Sequence, residues 1–170
     1  MGAVGPSQFL VGVDGRIRTL SKTTGLADGA IDQTLDTFFD SVRDGFDTTF
    51  PRVRFDRHSG RWFVTAMNLG FPNRYLLAVS SAGVLTNSTP WTFYYWANTR
   101  TAEGMPSHPC VADYPTLGID EDALYIGANQ FCGATEPAAV YDSSSAYVVK
   151  KAPLLASQPL EVVTFDELSL

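Results

Sequence analysis

Two stretches of this chain repeat one another. Pro51-Arg-Val-Arg-Phe-Asp56 and Pro115-Thr-Leu-Gly-Ile-Asp120 each place a proline before an alternating run and close it with an aspartate five residues later. An aromatic residue, Trp62 or Tyr125, then opens the next β-rich run. A repeat of this kind means that each unit is one supersecondary element with a face it cannot bury alone, so that successive units stack. The two prolines lie 64 residues apart, a spacing that suits a four-stranded unit if Asn98 to Pro109 is a long connecting loop.

Short β-rich runs separated by turn signals fill the rest. Gln8 to Val13 and Arg16 to Leu20 flank Asp14-Gly15, a pair that tolerates the positive φ of a tight hairpin. Pro51 to Asp56 alternates, turns at Asp56 to Gly60 and resumes as Arg61 to Met67. Tyr75 to Ser80 follows the Pro72-Asn73 turn, and Trp91 to Ala97 follows the loop Ala82 to Pro90. A third unit opens at Asp113 with Leu117 and Ile119 alternating, turns at Glu121-Asp122, and continues as Leu124 to Phe131, Ala138 to Tyr141, Tyr147 to Lys150 and Leu160 to Phe165. The expectation is an all-β protein of four-stranded antiparallel sheets in up-and-down order. Repeating such sheets is how a β-propeller buries its faces, with blades expected over 5–48, 49–99 and 110–168. Three blades fall short of the four or so a ring needs, and the first lacks its innermost strand. The chain therefore reads as an incomplete propeller, a segment of a longer protein whose ring is completed by further blades or other chains.

The exception is Leu26 to Asp47. Ile31, Leu35, Phe38, Phe39 and Val42 have helical spacing, while Asp32, Asp36, Asp40 and Asp44 recur four apart. Either a short amphipathic helix forms, against the repulsion of like charges at that spacing, or this is a solvated connection with apolar anchors. No calcium-loop pattern accompanies the aspartates.

Composition narrows function. A net charge of -6 with no cluster of Lys and Arg repels phosphate backbones, so nucleic acid is not an expected partner. No apolar run approaches the roughly 18 residues of a membrane span. His58 and His108 sit beside turn residues and read as solvated. The two cysteines, Cys110 and Cys132, offer no zinc pattern. If the chain turns at Glu121-Asp122, residues whose numbers sum to 242 or 243 face each other, and this pair sums to 242. A cross-strand disulfide follows, and with it an oxidising compartment.

Phe50-Pro-Arg-Val-Arg-Phe-Asp-Arg-His-Ser-Gly-Arg-Trp62, Leu76-Leu-Ala-Val-Ser80, Asp113-Tyr-Pro-Thr-Leu-Gly-Ile-Asp120 and Leu124-Tyr-Ile-Gly-Ala-Asn-Gln-Phe131 together resemble a group of bacterial secreted β-propellers, related in architecture to sialidases and other Asp-box proteins. The resemblance covers residues 5 to 168 and implies a propeller in a secreted or cell-surface location. This chain departs from the group at Phe50, where an aspartate usually precedes the proline, so any ligand role of that aspartate is absent or moved to Asp47. The Asp-box pattern itself is only loosely echoed, in Asp56 to Trp62 and in Ser80 to Trp91.

Three roles follow. The first is a non-catalytic binding module for glycan or protein, in which Trp91 to Trp96 either stacks on sugar or packs between blades. The second is a sialidase-type hydrolase, which needs an activated tyrosine, an acid and converging arginines; Arg52, Arg54, Arg57 and Arg61 are dense, yet no glutamate lies near them. The third is assembly through open sheet edges. Binding rather than catalysis is the expectation. Asp113 and Tyr114 are the candidate ligand residues, with calcium at Asp113 as the metal candidate. The alternative is that Asp113 caps the turn before Pro115.

Overall fold

The computed structural model describes residues 1–13, 15–71, 73–102, 105–133 and 139–168, with backbone alone for 102, 105–108 and 167. Strand accounts for 58% and helix for 6%, so the chain is all-β. Strands β1 (Gly2–Val4), β2 (Gln8–Val13), β3 (Arg16–Ser21) and β4 (Ala27–Thr34) form the first antiparallel sheet in chain order. One helical turn, α1 (Leu35–Phe38), leads to the second sheet, again in chain order: β5 (Thr48–Asp56), β6 (Arg61–Asn68), β7 (Arg74–Ser80) and β8 (Trp91–Ala97). The third sheet holds β9 (Thr101–Ala102), β10 (Met105–Asp113), β11 (Gly118–Ile119), β12 (Ala123–Cys132), β13 (Val140–Lys150) and, after α2 (Lys151–Leu155), β14 (Val162–Leu168). Its order is β14-β13-β12-β10-β9, with β11 also on β12, so β10 and β11 act as one leading strand interrupted at Pro115. The described residues form no closed barrel or ring, and no described helix is long and apolar enough to cross a membrane.

Period-two patterning explains how the layers stack. In β6, Trp62, Val64 and Ala66 point one way and join Leu10, Ile17 and Ile31 of the first sheet. Phe63 and Met67 point the other way and join Leu124, Ile126, Tyr147 and Val149 of the third. The second sheet is thus buried on both faces, and β6 reads as a nearly unbroken apolar run. The outer sheets alternate between buried and half-exposed residues, as β2 and β12 illustrate. Their leading edges converge, since β5 packs against β1 and β2 on one side and against β11 on the other.

Side-chain amides tie the layers by imitating strand pairing. Gln8 Nε2 donates to Leu85 O at 2.9 Å and Gln8 Oε1 accepts from Leu85 N at 2.7 Å. Asn73 repeats the device between the second and third sheets, donating to Ala112 O at 2.9 Å and accepting from Ala112 N at 3.2 Å. Each satisfies a buried backbone donor and acceptor together. At the first contact Gly5 lies so close to the Trp62 ring that a Cβ would overlap it, which makes glycine a packing requirement there.

Four expectations are corrected. The first sheet does not lack its innermost strand, because Gly2–Val4 pairs with β2. Leu26 to Asp47 is neither a short amphipathic helix carrying the whole stripe from Ile31 to Val42 nor simply a solvated connection, its helix being confined to Leu35–Phe38. Its first part is β4, and the apolar residues at helical spacing reach the core from a strand, one helical turn and the bend after it. The supposed loop Asn98 to Pro109 contains β9 and most of β10. The two strands expected around Ser143-Ser144-Ser145 are one, β13, whose Ser143 and Ser145 face inward and are buried. Asp14, Pro72, Glu103, Glu136 and Ala138 lie outside the described residues, as does the His108 side chain.

Candidate ligand site at the leading edges

The repeat places Phe50 and Tyr114 at equivalent positions, each directly before its proline. Both adopt left-handed backbone, with φ of 54° and 48°. A bulky residue there is strained, a cost of order 1–3 kcal/mol that the surrounding structure must hold in place. At Phe50 the register of β5 against β6 shifts between Thr49 and Arg52, and at Tyr114 the leading strand of the third sheet breaks between β10 and β11. The two rings meet across the junction of the sheets, centroids 5.1 Å apart and tilted by 36°. Tyr114 remains 63% exposed, so its conformation is not explained by burial.

Beside this pair lies a cleft of about 400 Å³, lined among the described residues by Phe50, Leu69, Val111, Ala112, Asp113, Phe131 and Ala139. Asp113 is its one charged lining residue among the described residues. Its Oδ1 accepts from Tyr114 N at 2.8 Å, which holds the break in the strand. Asp47, the other carboxylate considered for a ligand role, is exposed and is not among the lining residues. No three His, Cys, Asp or Glu gather as a metal-binding group among the described residues.

The aspartates that close the repeat sit at the other end of the leading strands and do structural work. Asp56, buried, accepts from the backbone N–H of His58 and Ser59 at 3.1 Å each and from Ser59 Oγ at 2.5 Å, which winds the Asp56 to Gly60 turn. Asp120 accepts from the N–H of Asp122 and Ala123 at 2.9 Å and from Tyr125 Oη at 2.7 Å. Between them lies Lys151, 3% exposed at its side chain, whose Nζ is 2.9 Å from Asp56 Oδ2 and donates to the Asp120 carbonyl. A cation from α2 thus pins the corresponding turns of two sheets. Burial by itself would raise the Asp56 carboxyl, but hydrogen bonds from Ser59, Lys151 and His58 outweigh it and hold the group below the ordinary carboxylate value. Asp120 is also held low, first by the Tyr125 hydroxyl. The repeated Asp is therefore a turn-former, and Lys151 is a residue that local sequence pattern did not reveal.

The other candidates fall into place separately. His58 is exposed in its turn. Arg52 and Arg54 spend hydrogen bonds on the carbonyls of Pro51 and Val53. Four of the five rings of β8 pack between layers: Trp91 and Phe93 lie against Phe38, and Trp96 stacks on Tyr75 with centroids 5.0 Å apart and planes within 7°, while Tyr95 stays exposed beneath the Arg74 guanidinium. Burial, and then the neighbouring Tyr147, push the Tyr75 hydroxyl upward, so it stays neutral. Cys110 and Cys132 form a disulfide at facing register positions with Cα atoms 4.1 Å apart. No family model, curated protein or solved structure matches this chain.

Proposed function

We propose that the chain is a segment of a secreted or cell-surface β-propeller whose role is to bind, with its ligand taken at the leading edges of the second and third sheets beside Asp113 and Tyr114. The observation that carries this reading is the strained pair of Phe50 and Tyr114, in ring contact at equivalent positions of the repeat and bordering an open cleft. Strain held at an exposed position is an expense that folding alone does not explain. Converging leading edges and chain-order sheets support the propeller, and the disulfide supports an oxidising compartment. A glycan and small-ligand array tests the role. At least one ligand class is expected to bind, and to lose binding in Tyr114→Ala while the melting temperature is kept. Full retention of all binding in that variant would move the site elsewhere.

The same reading expects further sheets or other chains against the open outer face of the third sheet. Tyr125, Val163, Phe165 and Leu168 stand there 43–50% exposed, with Val148 between Tyr125 and Val163 and the polar pair Asn129 and Ser144 in the row that ends at Leu168. The isolated chain is expected to self-associate in light-scattering measurements, with Phe165→Asp weakening association about 30-fold, the effect of losing one aromatic anchor. A wild-type chain that stays monomeric at high concentration would count against partner sheets.

A further inference from the structure

We infer that the cleft between the second and third sheets takes an organic ammonium ion, a positively charged nitrogen on an apolar body. This rests on the binding site proposed above and adds the chemistry of its ligand. The lining is apolar or aromatic except for one carboxylate, and no Lys, Arg or His lines it among the described residues. Phe50 and Phe131 stand on opposite sheets, with Tyr114 against Phe50 and Tyr141 against Phe131, at centroid distances of 5.1 and 6.0 Å. Aromatic faces attract a cation through the ring quadrupole, and the attraction strengthens as water is excluded.

Asp113 supplies the complementary charge. One of its oxygens accepts from Tyr114 N, which fixes the carboxylate on the cleft wall, and no described group donates to the other. A neutral sugar would want several donors and acceptors spread over its hydroxyls, and this wall offers few. An anion would meet Asp113 with no cation to offset it, in a chain of net charge -6. A small organic ammonium uses both kinds of group present: its charge at Asp113, its methylenes or methyls on Phe50, Phe131 and Leu69. The cleft volume of about 400 Å³ accommodates a ligand of this size.

The test is an NMR titration of the isotope-labelled full chain with benzyltrimethylammonium, with benzyl alcohol as neutral and benzenesulfonate as anionic probe. The cation is expected to shift the amide signals of Val111 to Tyr114, Phe50 and Phe131, and to bind at least about 10-fold more tightly than either control. Asp113→Asn, which keeps an acceptor for Tyr114 N, is expected to remove that preference. Asp40→Asn, at an exposed carboxylate elsewhere, is expected to leave it unchanged. Equal binding of benzyl alcohol and the cation at these residues, or an unchanged preference in Asp113→Asn, would overturn the ammonium assignment while leaving a binding site in place. No shift at these residues with any probe, in a chain whose Tyr114→Ala variant also retains every ligand found by array, would remove the site together with its ligand class.

Discussion

Replacing Lys151 with methionine is expected to cost about 3–5 kcal/mol, because it leaves the Asp56 carboxylate buried without its cation. For a chain of this length that corresponds to a fall in melting temperature on the order of 10 °C. Much of the loss is a penalty on the partner left behind, not the worth of the pair itself. The double variant Lys151→Met with Asp56→Asn is therefore expected to recover part of it, since the buried charge is gone and the asparagine oxygen still accepts from one of the two turn N–H groups, while the other, which bonds the second carboxylate oxygen, loses its acceptor. Chemical denaturation of the wild type, both single variants and the double variant measures this. A single-variant loss below about 1 kcal/mol would mean that water reaches Asp56 and that the pin between the sheets is weak.

The pH dependence has a definite sign. The folded Asp56 carboxyl lies below its ordinary value of 3.8, so its contribution to stability is complete above that pH and is lost as pH falls through the lower folded value. Asp28, Asp32 and Asp120 act in the same direction. In Lys151→Met the carboxyl loses its cation and burial dominates, which favours the protonated acid. The gap in stability between wild type and variant should therefore narrow between pH 5 and pH 3, and a gap that widens would contradict the assignment of Asp56 as the ionised partner.

Strands were legible where side-chain alternation was strict. Gln8 to Val13 and Trp91 to Ala97 are strands with the bounds the pattern gives, and the turn at Glu121-Asp122 was enough to place residues across it. Facing pairs sum to 242 from Cys110 to Asp113 and to 243 at Gly118 and Ile119, the change falling where the leading strand breaks. Failures came where tertiary partners replaced local signals. β10 carries Pro106 and Pro109, which speak against a strand; it is tolerated because its outer partner is only the two-residue β9, with the register shifting between Met105 and Pro109. The aspartates four apart looked like one face of a helix, yet each has its own partner: Asp32 with Arg16 and Arg18, Asp36 with Thr48, Asp40 with Arg43, Asp44 with Arg74. Lys151 was invisible because nothing near it in sequence marks a lysine that reaches the preceding sheet. The ligand candidates were half legible. The repeat marks Phe50 and Tyr114 as equivalent, but their backbone conformation and their contact belong to the folded chain.

Removing the disulfide by replacing Cys110 and Cys132 with alanine is expected to cost about 3 kcal/mol, on the chain-entropy account of a cross-link spanning 22 residues. The geometry explains why the bond forms between these strands. Cys110 directs its N–H to Arg100 O and its carbonyl to Asn98 Nδ2, away from β12, so the pair with Cys132 is one without ladder hydrogen bonds, where side chains approach most closely. Both cysteines are buried, at 0% and 5% exposure, so the bond is shielded from small thiols in the native state. It also fastens β10 to β12 three residues before Asp113, and thereby supports the strand break that carries Tyr114. The double alanine variant is accordingly expected to lose ligand binding at the cleft before it loses its fold, with amide exchange rising first over Cys110 to Tyr114. Thiol titration of the native, unreduced protein is expected to find no free cysteine, and denaturation with a reductant present should reproduce the stability of the variant. Two thiols titrating in the native protein would count against both the bond and an oxidising compartment.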